Sequence, residues 1–169
     1  MNRFQLFNTN RPCDVISHWH QHGYLNMSPP YQRGEVWGDI RRRNLIKSIV
    51  SGIPIASIII NDRSRSKEWG DAEEGFLAVI DGKQRMTAVL AFMESKFRVP
   101  GEWFGVAGSP TFSELPIGRQ RGFKNHPLAF SEGSLVSLED EIEVFELVNF
   151  GGVPQGESDH RPGARKEEG

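Results

Sequence analysis

The chain carries one cysteine, Cys13, among 169 residues. A single thiol excludes an internal disulfide framework and fits a reducing, cytoplasmic setting. No residue near Cys13 forms an activating pair with it, so it reads as a small packing residue. No apolar run approaches the ~20 residues of a membrane span. The opening Met1-Asn2-Arg3-Phe4 lacks the apolar stretch of a signal peptide, and no membrane partner is expected. Positive charge is not in excess either: 20 Lys and Arg face 22 Asp and Glu, for a net charge of -2. A protein that coats nucleic acid through global charge is excluded, and any such contact must come from a local patch. There is no glycine-rich phosphate loop ending in Lys-Ser/Thr. There is no Ser/His/Asp or Cys/His set with a local signature, and no HNH-type nuclease motif.

The most informative segment is Ile80-Asp81-Gly82-Lys83-Gln84-Arg85. It closes the apolar run Phe76–Ile80 and opens a helical pattern from Met86 to Met93. A strand turning into a helix at Asp-Gly leaves free backbone N–H groups and the positive end of a helix dipole at the turn, which suits an anion. A carboxylate, an amine, an amide and a guanidinium fall within five residues there. A plainer reading also holds: Asp81 as helix N-cap, with Gln84 completing a capping box and Arg85 in a surface ion pair with Asp81. A second segment, Pro29-Pro30-Tyr31-Gln32-Arg33-Gly34-Glu35-Val36-Trp37, is held extended by its prolines. It repeats the amide and guanidinium pair as Gln32 and Arg33, and arginine grips phosphate in a planar, bidentate way. Its alternative is an edge strand with a surface Arg and a packed Trp.

Periodicity and turn residues predict a helix over Asp14–His22, a helix over Asp39–Ser51 and a buried strand over Ile55–Ile60. A polar loop follows over 61–75, then a strand over Phe76–Ile80, the motif helix over Lys83–Ser95 and a short strand at Phe97–Val99. A short helix is expected near Ser113–Phe123, strand structure within Leu128–Leu138, and a last helix over Leu138–Asn149 capped by Ser137. The domain division is a loose N-terminus or short added strand over 1–11, one domain over 12–154, and a polar, disordered tail over 155–169. The order of elements makes this an α+β domain with a small mixed sheet. His18 and His22 stand one helical turn apart, as a metal pair or as part of a solvated histidine-rich helix. Arg41, Arg42, Arg43 and Lys47 form the most basic cluster. They read either as a solvated face or as a nucleic-acid patch.

Tyr31-Gln32-Arg33 with Trp37, Leu45–Ile49 with Gly52-Ile53-Pro54, Ile80–Arg85, and Val144–Asn149 followed by Phe150-Gly151-Gly152-Val153-Pro154 occur in this order. Together they resemble the DGQQR family of ParB/sulfiredoxin-like domains. That family includes the N-terminal domain of GmrSD-type, modification-dependent restriction enzymes. One departure is Lys83, where the family usually has Gln. Lysine serves phosphate as a point charge, without an acceptor.

The resemblance implies a ParB-like fold and a site built from Asp81, Gln84, Arg85, Gln32 and Arg33. Tyr31, Gly82, Lys83 and Asn149 would add nucleotide or phosphate contacts, and Asp81 would bind Mg²⁺. It implies a nucleoside triphosphate as substrate or effector, DNA as a possible partner, and a separate nuclease or effector subunit in a bacterial or phage conflict system. Triphosphate hydrolysis coupled to DNA sensing or processing is the leading expectation. Three others stand beside it: a kinase acting on a small molecule or modified base, a non-catalytic nucleotide-regulated module, and a nuclease.

Overall fold

The computed structural model describes residues 3–32, 34, 36–71 and 75–151. Arg33 and the tail expected over 155–169 lie outside these residues. Five strands form one mixed sheet: β1 (Leu6–Pro12), β2 (Leu25–Asn26), β3 (Ile58–Asp62), β4 (Leu77–Asp81) and β5 (Pro127–Gly133). Their order across the sheet is β1-β5-β3-β4-β2. The pairs β1–β5 and β3–β4 are antiparallel, and β3–β5 and β2–β4 are parallel. The helices are α1 (Asp14–Gln21), α2 (Asp39–Val50), α3 (Lys83–Met93), α4 (Ile117–Lys124) and α5 (Leu138–Phe150). The domain is therefore α+β with a small mixed sheet.

The central strands are apolar without alternation because both sheet faces are covered. Successive side chains point to opposite faces, and the core divides accordingly. Ile58, Ile60, Leu77 and Val79 pack with Ile16, Ile46, Ile49, Met86, Val89 and Phe92, from α1, α2 and α3. Ile59 and Ile80 pack on the other face with Leu135, Val144 and Phe145, the last two from α5. Phe92 gathers Phe104, Phe112 and Phe123 around it at ring separations of 5.9, 5.4 and 5.1 Å. The α3–α5 sandwich places the β4–α3 turn between two helical layers, at one end of the sheet.

Several expectations change. Of the two readings of residues 1–11 the short added strand holds, because Leu6–Pro12 forms β1 and pairs along its whole length with β5. Arg11 ties that pair together through Glu132, which also accepts from Thr9 at 2.8 Å. The strand expected at Phe97–Val99 does not form. Phe97 and Val99 instead pack on the core as irregular chain, and Arg98 is fixed by Glu114 at 2.7 Å. The helix near 113–123 is split by Pro116 into a 3₁₀ turn, Phe112–Glu114, and α4, since proline cannot donate within a helix. Ser137 does cap α5, accepting from the Asp140 N–H at 3.1 Å.

Candidate functional site

Asp81 is the last residue of β4, and Gly82, not Asp81, is the N-cap of α3. The capping-box reading of Asp81 and Gln84 is thereby overturned. Gly82 has φ +95°, and a Cβ there would meet Ile58 Cγ1 at 3.0 Å and Arg85 Nη2 at 3.2 Å. Only glycine meets both the left-handed backbone and the close approach. The helical ladder begins with the Met86 N–H on the Gly82 carbonyl at 2.9 Å. No side chain caps the helix start, so the Lys83 and Arg85 N–H groups lack intrahelical acceptors.

Asp81 pairs with Arg85, Oδ2 to Nη2 at 2.6 Å, with side-chain exposures of 27% and 17%. The pair is thus partly buried and not the surface pair expected. Arg85 Nη2 also donates to the Ser57 carbonyl at 3.1 Å. Its Nε–H is buried without a protein acceptor, which is uncommon for a buried donor. Lys83 reaches back to Ser28, Nζ to Oγ at 3.0 Å.

The two glutamines act as stitches. Gln32 Nε2 donates to the Val79 and Ile80 carbonyls at 2.7 and 2.6 Å. Gln84 Oε1 accepts from the Trp37 backbone N–H at 3.2 Å. Together they fasten Gln32 and Trp37 to β4 and α3, and the chain before Gln32 is a turn closed by the Gln32 N–H on the Pro29 carbonyl at 2.9 Å, not the extended run expected there. The Gln32 amide nitrogen and the Gln84 carbonyl are thus turned to the protein.

These elements enclose a cavity of about 340 Å³. Its polar lining comes from Gln32, Asp81, Lys83, Gln84 and Arg85, with Arg41 from α2 and Asn149 from α5. Gly82, Trp37, Phe145 and Phe150 complete it. The Arg41 guanidinium lies 4.9 Å from the Trp37 ring centroid. Asn149 donates to the Phe145 carbonyl at 2.8 Å, back along its own helix. Among the described residues the lining carries three cationic side chains and one carboxylate. The volume is within the ~300–1,000 Å³ usual for small-molecule sites.

Tyr31 is not part of that lining. Its hydroxyl donates to Glu141 at 2.9 Å and its ring packs against Phe145 at 5.4 Å. Burial, followed by the neighbouring Glu141 charge, pushes the Tyr31 hydroxyl well above its ordinary pKa. The expected direct phosphate contact from Tyr31 is therefore replaced by a supporting role. Glu141 is fully buried and was missed by sequence reasoning. It accepts from Asn61 Nδ2 and Arg63 Nε at 2.8 Å each, and from Arg63 Nη2 at 2.6 Å. Asn61 is in turn tied to the Leu135 backbone, and the Arg63 guanidinium stacks 4.2 Å from the Trp69 centroid. The hub joins the Tyr31–Gln32 segment to α5, the two walls of the cavity.

The basic cluster does not form one face. Residues on a helix advance by about 100° each, and the contacts follow that geometry. Arg41 lines the cavity. Arg42 bonds Asp39 at 2.9 Å and lies 5.9 Å from the Phe97 ring. Arg43 is exposed, and Lys47 lies 5.7 Å from the Trp103 ring. The His18 and His22 rings lie tilted against each other with centroids 4.1 Å apart. Among the described residues no three His, Cys, Asp or Glu gather as a metal site. Cys13 is buried, and burial pushes its thiol up to about 12, against a nucleophilic role.

The fold is thus an α+β domain with a mixed sheet, and a cavity lined by Arg41, Lys83 and Arg85 lies at its strand-to-helix turn. Residues 16–133 match the family described as GmrSD restriction endonuclease, N-terminal domain. The match covers more than half of the chain, which therefore belongs to this family and to its context of restriction, a phage-defence activity. No curated protein and no solved structure matches the chain. No helix among the described residues is long and apolar enough to cross a membrane.

Proposed function

We propose that this domain binds a nucleoside triphosphate at the β4–α3 cavity, hydrolyses its terminal phosphate, and couples that turnover to DNA sensing or processing with a separate nuclease or effector. The observation that carries the reading is the convergence of Asp81, Lys83, Arg85, Arg41 and Asn149 on one cavity at an uncapped helix N-terminus. Phosphoryl transfer asks mainly for positioning and charge neutralisation. Lys83 and Arg85 neutralise phosphate oxygens, and the Lys83 and Arg85 N–H groups donate to them. A phosphate oxygen also suits the buried Arg85 Nε–H, which has no protein acceptor. Trp37 and Phe150 offer apolar surface for the rest of the nucleotide.

Mg²⁺ fits this donor set in one form only. Among the described residues Asp81 is the single carboxylate in the lining, and Arg85 already holds its Oδ2. One carboxylate is enough for Mg²⁺ that arrives with phosphates and keeps its waters, but not for a resident metal cage. When bound, the ion would supply further neutralisation of the phosphate chain. Water adds to the γ-phosphorus, the bond to the β–γ bridging oxygen breaks, and nucleoside diphosphate, phosphate and a proton leave.

The test is calorimetric binding plus phosphate release with each of four triphosphates, with and without DNA. Asp81→Asn should abolish release while keeping a normal melting curve. Wild-type turnover in a normally folded Asp81→Asn protein refutes the assignment. Binding without release in the wild type assigns the cavity to a nucleotide-regulated module that does not hydrolyse.

A further inference from the structure

A second cavity, of about 240 Å³, lies at the far end of α2 from the first and is lined by Val50, Trp103, Gly118, Arg119, Gly122 and His126, among others. The cations around it differ from those elsewhere. Arg3, Arg11, Arg42, Arg63, Arg65, Arg85, Lys96, Arg98 and Lys124 each hold a carboxylate. Among the described residues, no carboxylate lies within ion-pair distance of Arg43, Lys47, Arg119 or Arg121. Helix α4 contains no acid at all, whereas α5 carries five acids and no base. The net charge of -2 thus conceals a polar distribution, with unneutralised positive charge on the surface of α4 and the outer face of α2. Among the described residues Lys83, bonded to Ser28, and Lys67, in the exposed turn after β3, are also without an ion pair and stand apart.

We propose that the surface carrying Arg119 in the lining of the second cavity, Lys47 over Trp103 of that lining, and Arg43 and Arg121 on the same two helices binds the phosphate backbone of duplex DNA. It rests on the DNA part of the reading above and is independent of the triphosphate part. Arg43 and Lys47 are one turn apart on α2 and share a face. On α4, Arg119 and Arg121 flank the exposed Gly118–Gly122 strip, where a Cβ would meet nothing within 4 Å. A phosphate strand can therefore approach the helix backbone between two guanidinium groups. The surface is built to hold phosphates and not to stack bases, because Trp103 is half-buried and Lys47 lies over its ring. Half of the basic cluster picked out from sequence is retained here, while Arg41 and Arg42 are assigned elsewhere.

The test is anisotropy of a labelled duplex with the whole chain, titrated from about 50 to about 200 mM salt. Four phosphate contacts predict a log-log slope of about -3.6. Replacing Arg43, Lys47, Arg119 and Arg121 together by Gln should bring the slope close to zero, with an unchanged melting curve and unchanged triphosphate binding by calorimetry. The control Lys67→Gln should leave the slope unaltered. An unchanged slope in the quadruple variant, or no duplex binding by the wild type at low salt, overturns the proposal. Equal loss of DNA and triphosphate binding also overturns it, since one shared groove would then serve both. Tighter binding of a single strand than of the duplex refutes the choice of partner. None of these results alters the turnover test on Asp81.

Discussion

Glu141→Gln probes the buried hub most directly. The carboxylate is fully buried and receives four hydrogen bonds, two from Arg63 and one each from Asn61 and Tyr31. Arg63 is itself only 13% exposed. Gln has nearly the same shape but exchanges one acceptor oxygen for an NH₂ group. Whichever way that amide is placed, its donors face the donors of Arg63 and either Tyr31 or Asn61. The change also removes the countercharge of a buried guanidinium. Breaking a buried pair from one side costs about 3–5 kcal/mol, a large part of a stability of roughly 5–15 kcal/mol. At about 2–4 °C per kcal/mol for a domain of this size, the melting temperature should fall by about 6–20 °C. Urea unfolding followed by tryptophan fluorescence gives the free energy, with Trp69 in the hub as a reporter. An unchanged m-value assigns the loss to stability. The control is Glu143→Gln on the same helix, where the partner Arg3 is 64% exposed. It should cost no more than about 1 kcal/mol. If Glu141→Gln costs no more than that control, the hub does not hold α5 to the Tyr31–Gln32 segment.

Gly82→Ala should destabilise by more than about 1 kcal/mol, because φ is +95° and Ile58 is 3.0 Å from the new Cβ; an unchanged melting temperature contradicts it. Glu132 is held below the ordinary carboxylate pKa, first by its hydrogen bond from Arg11. Its contribution is therefore present above the unfolded value of about 4.3 and is lost as pH falls through the lower folded value. In acid titrations of stability, Glu132→Gln should flatten the wild-type decline below about pH 4.3, and an identical decline refutes the linkage. Lys83→Gln, which restores the usual family residue, should weaken triphosphate binding by about 1 kcal/mol, roughly five-fold. Unaltered calorimetric affinity would leave Lys83 serving Ser28 alone.

Local chemistry made much of this protein legible. The start of α3 follows from Asp81-Gly82, where glycine alone tolerates the turn. Helices α1, α2 and α5 follow from apolar spacing and flanking cap residues. The family resemblance was legible in four short segments in order, and ten of the residues they contain line one cavity. β1 and β2 were harder to see. One is polar and the other is two residues long, and both depend on a partner strand for their existence. The tertiary structure decided what each side chain does. Glu139, Asp140 and Glu141 look alike as acids at a helix N-terminus. Only packing shows that Glu141 is buried, because its donors come from positions 78, 80 and 110 residues away. Gln32 and Gln84 read in sequence only as polar site residues, and the fold adds that each bonds a backbone group 47 residues distant. Arg41, Arg42, Arg43 and Lys47 are one run in sequence, yet the helical rotation and the placement of Trp37, Phe97 and Trp103 send them to different surroundings. Propensity and turn geometry act over a few residues and can be read from the chain. Burial, charge pairing and the closing of a cavity depend on residues that meet only when the sheet and its two helical layers assemble.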